Sequence, residues 1–391
     1  MNFSRVIFLI LLSFLLNGCF GAFKDLKDQM SERIIGQDPI DPPANLKDFK
    51  AKLNPKILWS LKLGGSETFE FSPGIIGDEA YAASSDGSLA KIDLKTGKTL
   101  WKINTGEKLS GGVGLGVNEV TVGTSTGLLI AYDLNAKLLW KTRLSSQILS
   151  APTIHEGFVI VRTSDNLIHG VNVKDGLKKW TFSRVGPPLS LRSSVGVAVS
   201  DGVIYAGFPG GKLVTIREDN GSLLWEITVA QPKGVTEIER VSDVTSTPVI
   251  DGLNIYTVAY QGKISAVDRV NARTLWSRDI SSYTGISIDG ARIYLSHTGG
   301  AVYSLAIESG KTYWRQGDLL NRKLSTPLGM GDYVAVGDLE GYIHILDKET
   351  GQFLGRIHLD DEPVMRRLIE FEKGKFLAQT RNGGIYAIAI Q

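Results

Sequence analysis

A tryptophan recurs about every forty residues along this chain, and no other feature limits its fold so narrowly. The Trp residues stand at 59, 101, 140, 180, 225, 276 and 314, with spacings of 42, 39, 40, 45, 51 and 38. A period of this length marks a repeat architecture, in which each unit buries its apolar faces only against its neighbours. A second register is independent of Trp. Turn residues fall at Gly87, Gly127, Asn166, Gly211, Gly262, Gly300, Gly341 and Gly383. Six residues after each come Asp93, Asp133, Asn172, Arg217, Asp268, Ala306, Asp347 and Ala389, so the count of units is eight. Within one unit, residues 246–250, 254–259, 263–268 and 274–276 read as four short strands, separated by turns at Asp251-Gly252 and Gln261-Gly262. β-branched and aromatic residues punctuated by Gly and Asp favour strands, and four strands per repeat make a propeller blade. After residue 54 no apolar period of 3.6 is sustained, so helices are not expected. The sequence predicts an all-β, eight-bladed β-propeller of four-stranded antiparallel blades over residues 54–391. The last unit, Gly383 to Ile390, has a third strand and no fourth, whereas Lys56-Ile57-Leu58-Trp59-Ser60 is a fourth strand without the other three. Pairing the two closes the ring and removes an exposed edge.

The N-terminus has a different character. One arginine, Arg5, precedes an apolar run from Val6 to Leu16, too short to span a bilayer as a helix. It reads as the n- and h-regions of an export signal. The run ends in Leu16-Asn17-Gly18-Cys19, which resembles the lipobox of bacterial lipoproteins, with Asn17 as its one unusual residue. Residues 1–18 are then a signal peptide and Cys19 the lipidated first residue. Phe20 follows it, and the resemblance implies sorting to the outer membrane, on its periplasmic face. Residues 19–53 are polar, with Pro39, Pro42 and Pro43, and read as a tether. Cys19 is the only cysteine, so neither an internal disulfide nor a cysteine metal site is expected.

Two repeat spacings are longer than the rest and consecutive. The extra residues follow Trp180 and Trp225, in the links from a fourth strand to the first strand of the next blade. Such links share one face of a propeller, so two enlarged loops stand side by side, where binding residues concentrate. The first contains Pro188-Leu189-Ser190-Leu191-Arg192 and the second runs from Gly234 to Thr245. Leucines beside an arginine are a common hot-spot composition. Asp243 is expected to pair with Arg192 or with a basic group on a partner.

The segment Asp93-Leu94-Lys95-Thr96-Gly97-Lys98-Thr99-Leu100-Trp101, with weaker copies at 172–180, 217–225 and 347–355, resembles the repeat of pyrroloquinoline-quinone-type propellers. With the lipobox and the two loop segments, the whole chain resembles the BamB family of lipoproteins of the outer-membrane β-barrel assembly (BAM) complex. That resemblance implies docking on the periplasmic POTRA domains of BamA and assistance to unfolded outer-membrane proteins. It implies partner contacts at Leu189, Leu191, Arg192 and Asp243, with Glu237 and Arg240 in the same loop. Thr245 stands where that family usually carries a second acidic residue.

Other classes fit less well. Quinoprotein dehydrogenases share the repeat but add a vicinal cysteine pair, which a chain with one cysteine cannot supply. The histidines, at 155, 169, 297, 344 and 358, show no i,i+4 pairing of the zinc type, and no nucleophile elbow or phosphate-binding loop occurs. No catalytic site, cofactor or metal is expected. A net charge of +2 argues against nucleic-acid capture. A periplasmic ligand-binding propeller or a degenerate quinoprotein is the alternative.

Overall fold

The computed structural model describes residues 42–391 apart from Ser193, Lys233 and Arg366. Eight four-stranded antiparallel sheets follow one another in chain order, and among the described residues there is no helix. Blades 1 to 7 span residues 74–104, 109–143, 153–182, 198–228, 249–278, 286–316 and 328–358. Blade 8 joins Ile369–Glu372, Lys375–Gln379 and Gly384–Ala389 to Lys56–Lys62 as its outer strand. The predicted clasp is therefore present, with Lys56 opposite Ala389 and Lys62 opposite Gly384.

The core is a ring of seams. Eight apolar clusters of buried residues each draw on two adjacent blades, from Tyr81, Leu89, Val120 and Ile130 between blades 1 and 2 to Leu377, Ile385, Ala80 and Ile92 between blades 8 and 1. Middle strands are therefore buried on both faces and read as continuous apolar runs, as in Glu79–Ala83 and Phe158–Arg162. Outer strands face a neighbour only in part and alternate, as in Thr99–Asn104.

Each Trp lies on an outer strand and fastens one seam. Indole Nε1 of Trp59, Trp101, Trp140, Trp180, Trp276 and Trp314 donates to a carbonyl of the next blade at 2.8–3.0 Å. The glycine of the Thr-Gly turn serves the same contact. At Gly97 φ is +71° and a Cβ would meet the ring of Trp59 at 2.6 Å, so both the backbone and the ring require glycine there.

Blade 7 has no Trp. Gly355 takes its place, opposite Ile345, and the vacated room holds the chain's own entry segment. A Cβ on Gly355 would meet the Leu53 carbonyl and Pro55 Cδ at 3.0 Å. The Lys52 and Leu53 N–H groups donate to the Leu354 carbonyl at 2.8 and 3.0 Å. Phe49 stacks on Phe353 with centroids 5.3 Å apart, Lys47 pairs with Asp318 at 2.6 Å, and Arg322 Nη1 donates to the Ala44 carbonyl at 2.8 Å. Residues 43–53, assigned from sequence to the tether, are thus part of the compact unit, which begins at Pro43. Their polar composition hid this, because the apolar anchors Phe49 and Leu53 are too sparse to give a period.

Candidate functional site

A blade runs up, down, up and down, so the links from outer to inner strands and the turns between second and third strands share one face. The links 183–197 and 229–248 are the longest there and sit on adjacent seams, as the spacing predicts. Leu189 is 42% exposed and Leu191 38%. Arg192 is also exposed, and its Nη2 donates to Gln147 Oε1 at 2.9 Å. The same guanidinium lies 5.9 Å from the Phe69 ring centroid.

Asp243 does not pair with Arg192 and does not face outward. It is 3% exposed. One carboxylate oxygen accepts the Leu191 N–H at 2.6 Å and the other accepts the Gly210 N–H at 3.0 Å. A carboxylate taking two backbone donors makes strong, charge-assisted bonds. Here they clamp the first link, the second link and the 209–211 turn of blade 4 together. Beneath lies Arg162, whose Nη2 donates to Asn166 Oδ1 at 2.8 Å. Burial pulls this guanidinium down to about 10, and the charge of Asp243 works against that fall. Asp243 therefore shapes the surface from behind. Its residue type was legible in the sequence, but its burial depends on Arg162, Leu191 and Gly210, which different seams supply.

The second link carries its own brace. Glu239 Oε2 accepts the N–H groups of Val235 and Thr236 at 2.8 and 3.0 Å, and Thr236 Oγ1 accepts the Glu239 N–H at 3.2 Å. These backbone donors hold the Glu239 carboxyl below its ordinary range. This reciprocal cap has the Thr-x-x-Glu signature, which could have been read from sequence. It closes one turn over 236–240 and leaves Glu237 and Arg240 exposed, with Val235 and Ile238 exposed beside them. Thr245 is buried, and its hydroxyl donates to the Ser282 carbonyl at 3.2 Å.

Between the links and the ring axis lies a cavity of about 310 Å³, lined by Phe69, Glu70, Leu149, Leu191, Arg192 and Tyr283 among others. Links from five seams converge on it, which places it at the mouth of the central channel. Phe69, Gln147 and Tyr283 were not anticipated, since nothing in the repeat marks them. Cys19 and the signal segment 1–18 lie outside the described residues.

The arrangement is one of rigid presentation: two braced loops display leucines, an arginine and mixed charges around a shallow opening. The chain is 35% identical to "Outer membrane protein assembly factor BamB" of Bordetella pertussis, over 88% of this chain and 90% of that protein. The crystal structure of BamB from Moraxella catarrhalis is similar, with a TM-score of 0.78 and 25% identity, covering 86% of this chain and 99% of that one. Quinohemoprotein alcohol dehydrogenase from Comamonas testosteroni shares the fold alone, with a TM-score of 0.73 at 14% identity over 86% of this chain and 76% of that one. Residues 85–316 match the family described as "Outer membrane protein assembly factor BamB". Repeat, ring closure, loop face and sequence kinship agree: this chain belongs to the BamB family of outer membrane protein assembly factors.

Proposed function

We propose that this protein is a scaffold held at the periplasmic face of the outer membrane by a lipid on Cys19 and docked through its two enlarged links onto the POTRA domains of BamA. As a BamB-family member it is a non-enzymatic factor of the BAM complex, acting in outer-membrane protein assembly. The observation that carries the docking assignment is the Asp243 clamp. A buried carboxylate spent on holding Leu191 in place leaves Leu189, Leu191 and Arg192 displayed in a fixed geometry, which lowers the ordering cost of binding. Glu237 and Arg240 flank them as a charged rim.

Arg192→Glu and Leu191→Ala, each assayed by capture on the immobilised POTRA region of BamA, are expected to weaken binding by roughly 2 kcal/mol or more, the scale of a hot-spot loss. Both side chains are exposed, so melting temperature should stay near wild type. Unchanged capture in both would remove the loops from the interface. The anchor has a separate test. Cys19→Ser should yield a chain without lipid, recovered in the soluble periplasmic fraction, and lipid still found by mass spectrometry on that variant would refute Cys19 as the site.

A further inference from the structure

On the face opposite the enlarged links, three ligand-type side chains meet at the seam of blades 3 and 4. His155 ends the inner strand Thr153–His155, Glu156 follows it in the turn, and Glu218 follows the third strand Lys212–Arg217 of blade 4. A ring nitrogen of His155 and one carboxylate oxygen from each glutamate all lie within 4.8 Å of one another.

Glu218 stands in a position that other blades fill with Leu94, Leu134, Val173, Ile307 and Lys348, the residues whose carbonyls accept the Trp indoles. Its own carbonyl accepts Trp180 Nε1 at 2.9 Å and its N–H donates to the Gly202 carbonyl at 2.9 Å. Its backbone is thus fixed and its carboxylate is held buried in the seam, 3% exposed. Oε2 contacts His155 Nδ1 at 2.8 Å. Oε1 is buried and has no hydrogen-bond partner. A buried carboxylate oxygen without a donor is destabilising unless a cation answers it.

We propose that His155, Glu156 and Glu218 bind a divalent transition-metal ion, with Zn²⁺ as the best match. An imidazole with two carboxylates is a donor set that transition ions take and that Mg²⁺ and Ca²⁺ favour less. Two carboxylates and a neutral imidazole balance the charge of such an ion. Zn²⁺ holds nitrogen and oxygen at about 2.0–2.2 Å, so two of its tetrahedral ligands stand about 3.3 Å apart. His155 Nδ1 and Glu218 Oε2 need to part by only about half an ångström to admit it. Three protein ligands leave the fourth position to water. The ion would tie blade 3 to blade 4 across the same seam that the link 183–197 crosses on the other face, stiffening the base of the docking loops.

The full-length lipidated chain in detergent, stripped with EDTA and titrated calorimetrically with ZnCl₂, is expected to take up one ion per chain. Glu156 is exposed, so Glu156→Gln leaves the fold intact. It should weaken binding by more than about tenfold, the lower end of what losing even an outer-shell partner costs. His155→Ala should abolish the isotherm, together with the rise in melting temperature that Zn²⁺ gives the wild type. X-ray absorption at the zinc edge should show nitrogen and oxygen neighbours only. No saturable uptake by the wild type, an unchanged isotherm in either variant, or a sulfur neighbour at the zinc edge would each overturn the proposal.

Discussion

Asp243→Ala is expected to lower the melting temperature by several degrees and to abolish capture by the POTRA region, although the Asp243 carboxylate is turned inward. Both effects have one origin. The substitution strips the acceptor from the Leu191 and Gly210 N–H groups and removes the negative charge that acts on the buried guanidinium of Arg162. A buried donor left unpaired costs about 1–3 kcal/mol. Uncovering a buried charge costs about 3–5 kcal/mol. A net loss of about 3 kcal/mol is the reasonable scale, because the loops relax toward water once released. In a chain of this size that corresponds to roughly 4 °C. Released loops no longer hold Leu189, Leu191 and Arg192 in register, so binding falls with stability. Arg162→Met in the Asp243→Ala background supplies the check. Removing the stranded cation should recover part of the melting temperature, a coupling that independent sites do not show. It should not recover binding, because the Leu191 N–H is still unheld. An Asp243→Ala chain with wild-type melting and capture would mean that Asp243 is no clamp.

The role of Asp243 also shows where sequence reasoning reaches and where it stops. The eight blades were legible because each is a local unit. One Trp and one turn glycine per repeat make contacts that the repeat itself supplies, as in the Gly97 stack under Trp59. The missing eighth Trp was visible too, but its meaning was not. Gly355 makes room for Leu53 and Pro55, residues some three hundred positions earlier in the chain. The enlarged links show in the repeat spacings of 45 and 51, and the exposure of Leu189 and Leu191 accords with their place there. The inward turn of Asp243 could not be read in the same way, since it depends on Arg162 and Gly210 from neighbouring blades. His155 and Glu218 likewise meet only because propeller closure sets the end of one blade's inner strand against the next blade's outer turn. Local periodicity specifies the ring. The site is assembled across its seams.

Acidification from pH 7 to pH 5 is expected to cost the propeller about 4 kcal/mol, well before its carboxylates protonate, because His169 and His297 are buried in the neutral form. Burial lowers His169 to about 4, aided by Lys178 and opposed by Asp165. Burial lowers His297 to about 4, aided by Arg315. The bonding agrees with neutral rings. His169 meets only the hydroxyls of Ser145, Thr163 and Thr181, and His297 Nδ1 accepts the Gly299 N–H at 3.0 Å. Between pH 6.5 and 4 the unfolded chain therefore binds more protons than the folded one, and stability falls as pH falls. Each histidine accounts for about 2 kcal/mol at pH 5. His344 adds in the same direction. Its Nε2 lies 3.0 Å from Asp338, a distance that suggests an ion pair. However, its Nδ1 accepts Arg356 Nε–H at 3.1 Å, so the ring is neutral there, and burial keeps it below its ordinary range despite Asp338. Asp338 contributes only at lower pH. Burial raises its carboxyl, but the bonds from His344 and Arg322 outweigh burial and hold it low. Denaturant midpoints at pH 7 and pH 5 measure the loss. A His169→Gln, His297→Gln double variant should start less stable at pH 7 and lose much less on acidification. An undiminished loss in that variant would assign the acid sensitivity elsewhere. The location gives the effect its consequence. His169 is bonded to Thr163, one residue from Arg162 and three from Asn166, in the turn that underlies the Asp243 clamp. Protonation there loosens the face proposed for docking first, so capture by the POTRA region should decline with pH ahead of global unfolding.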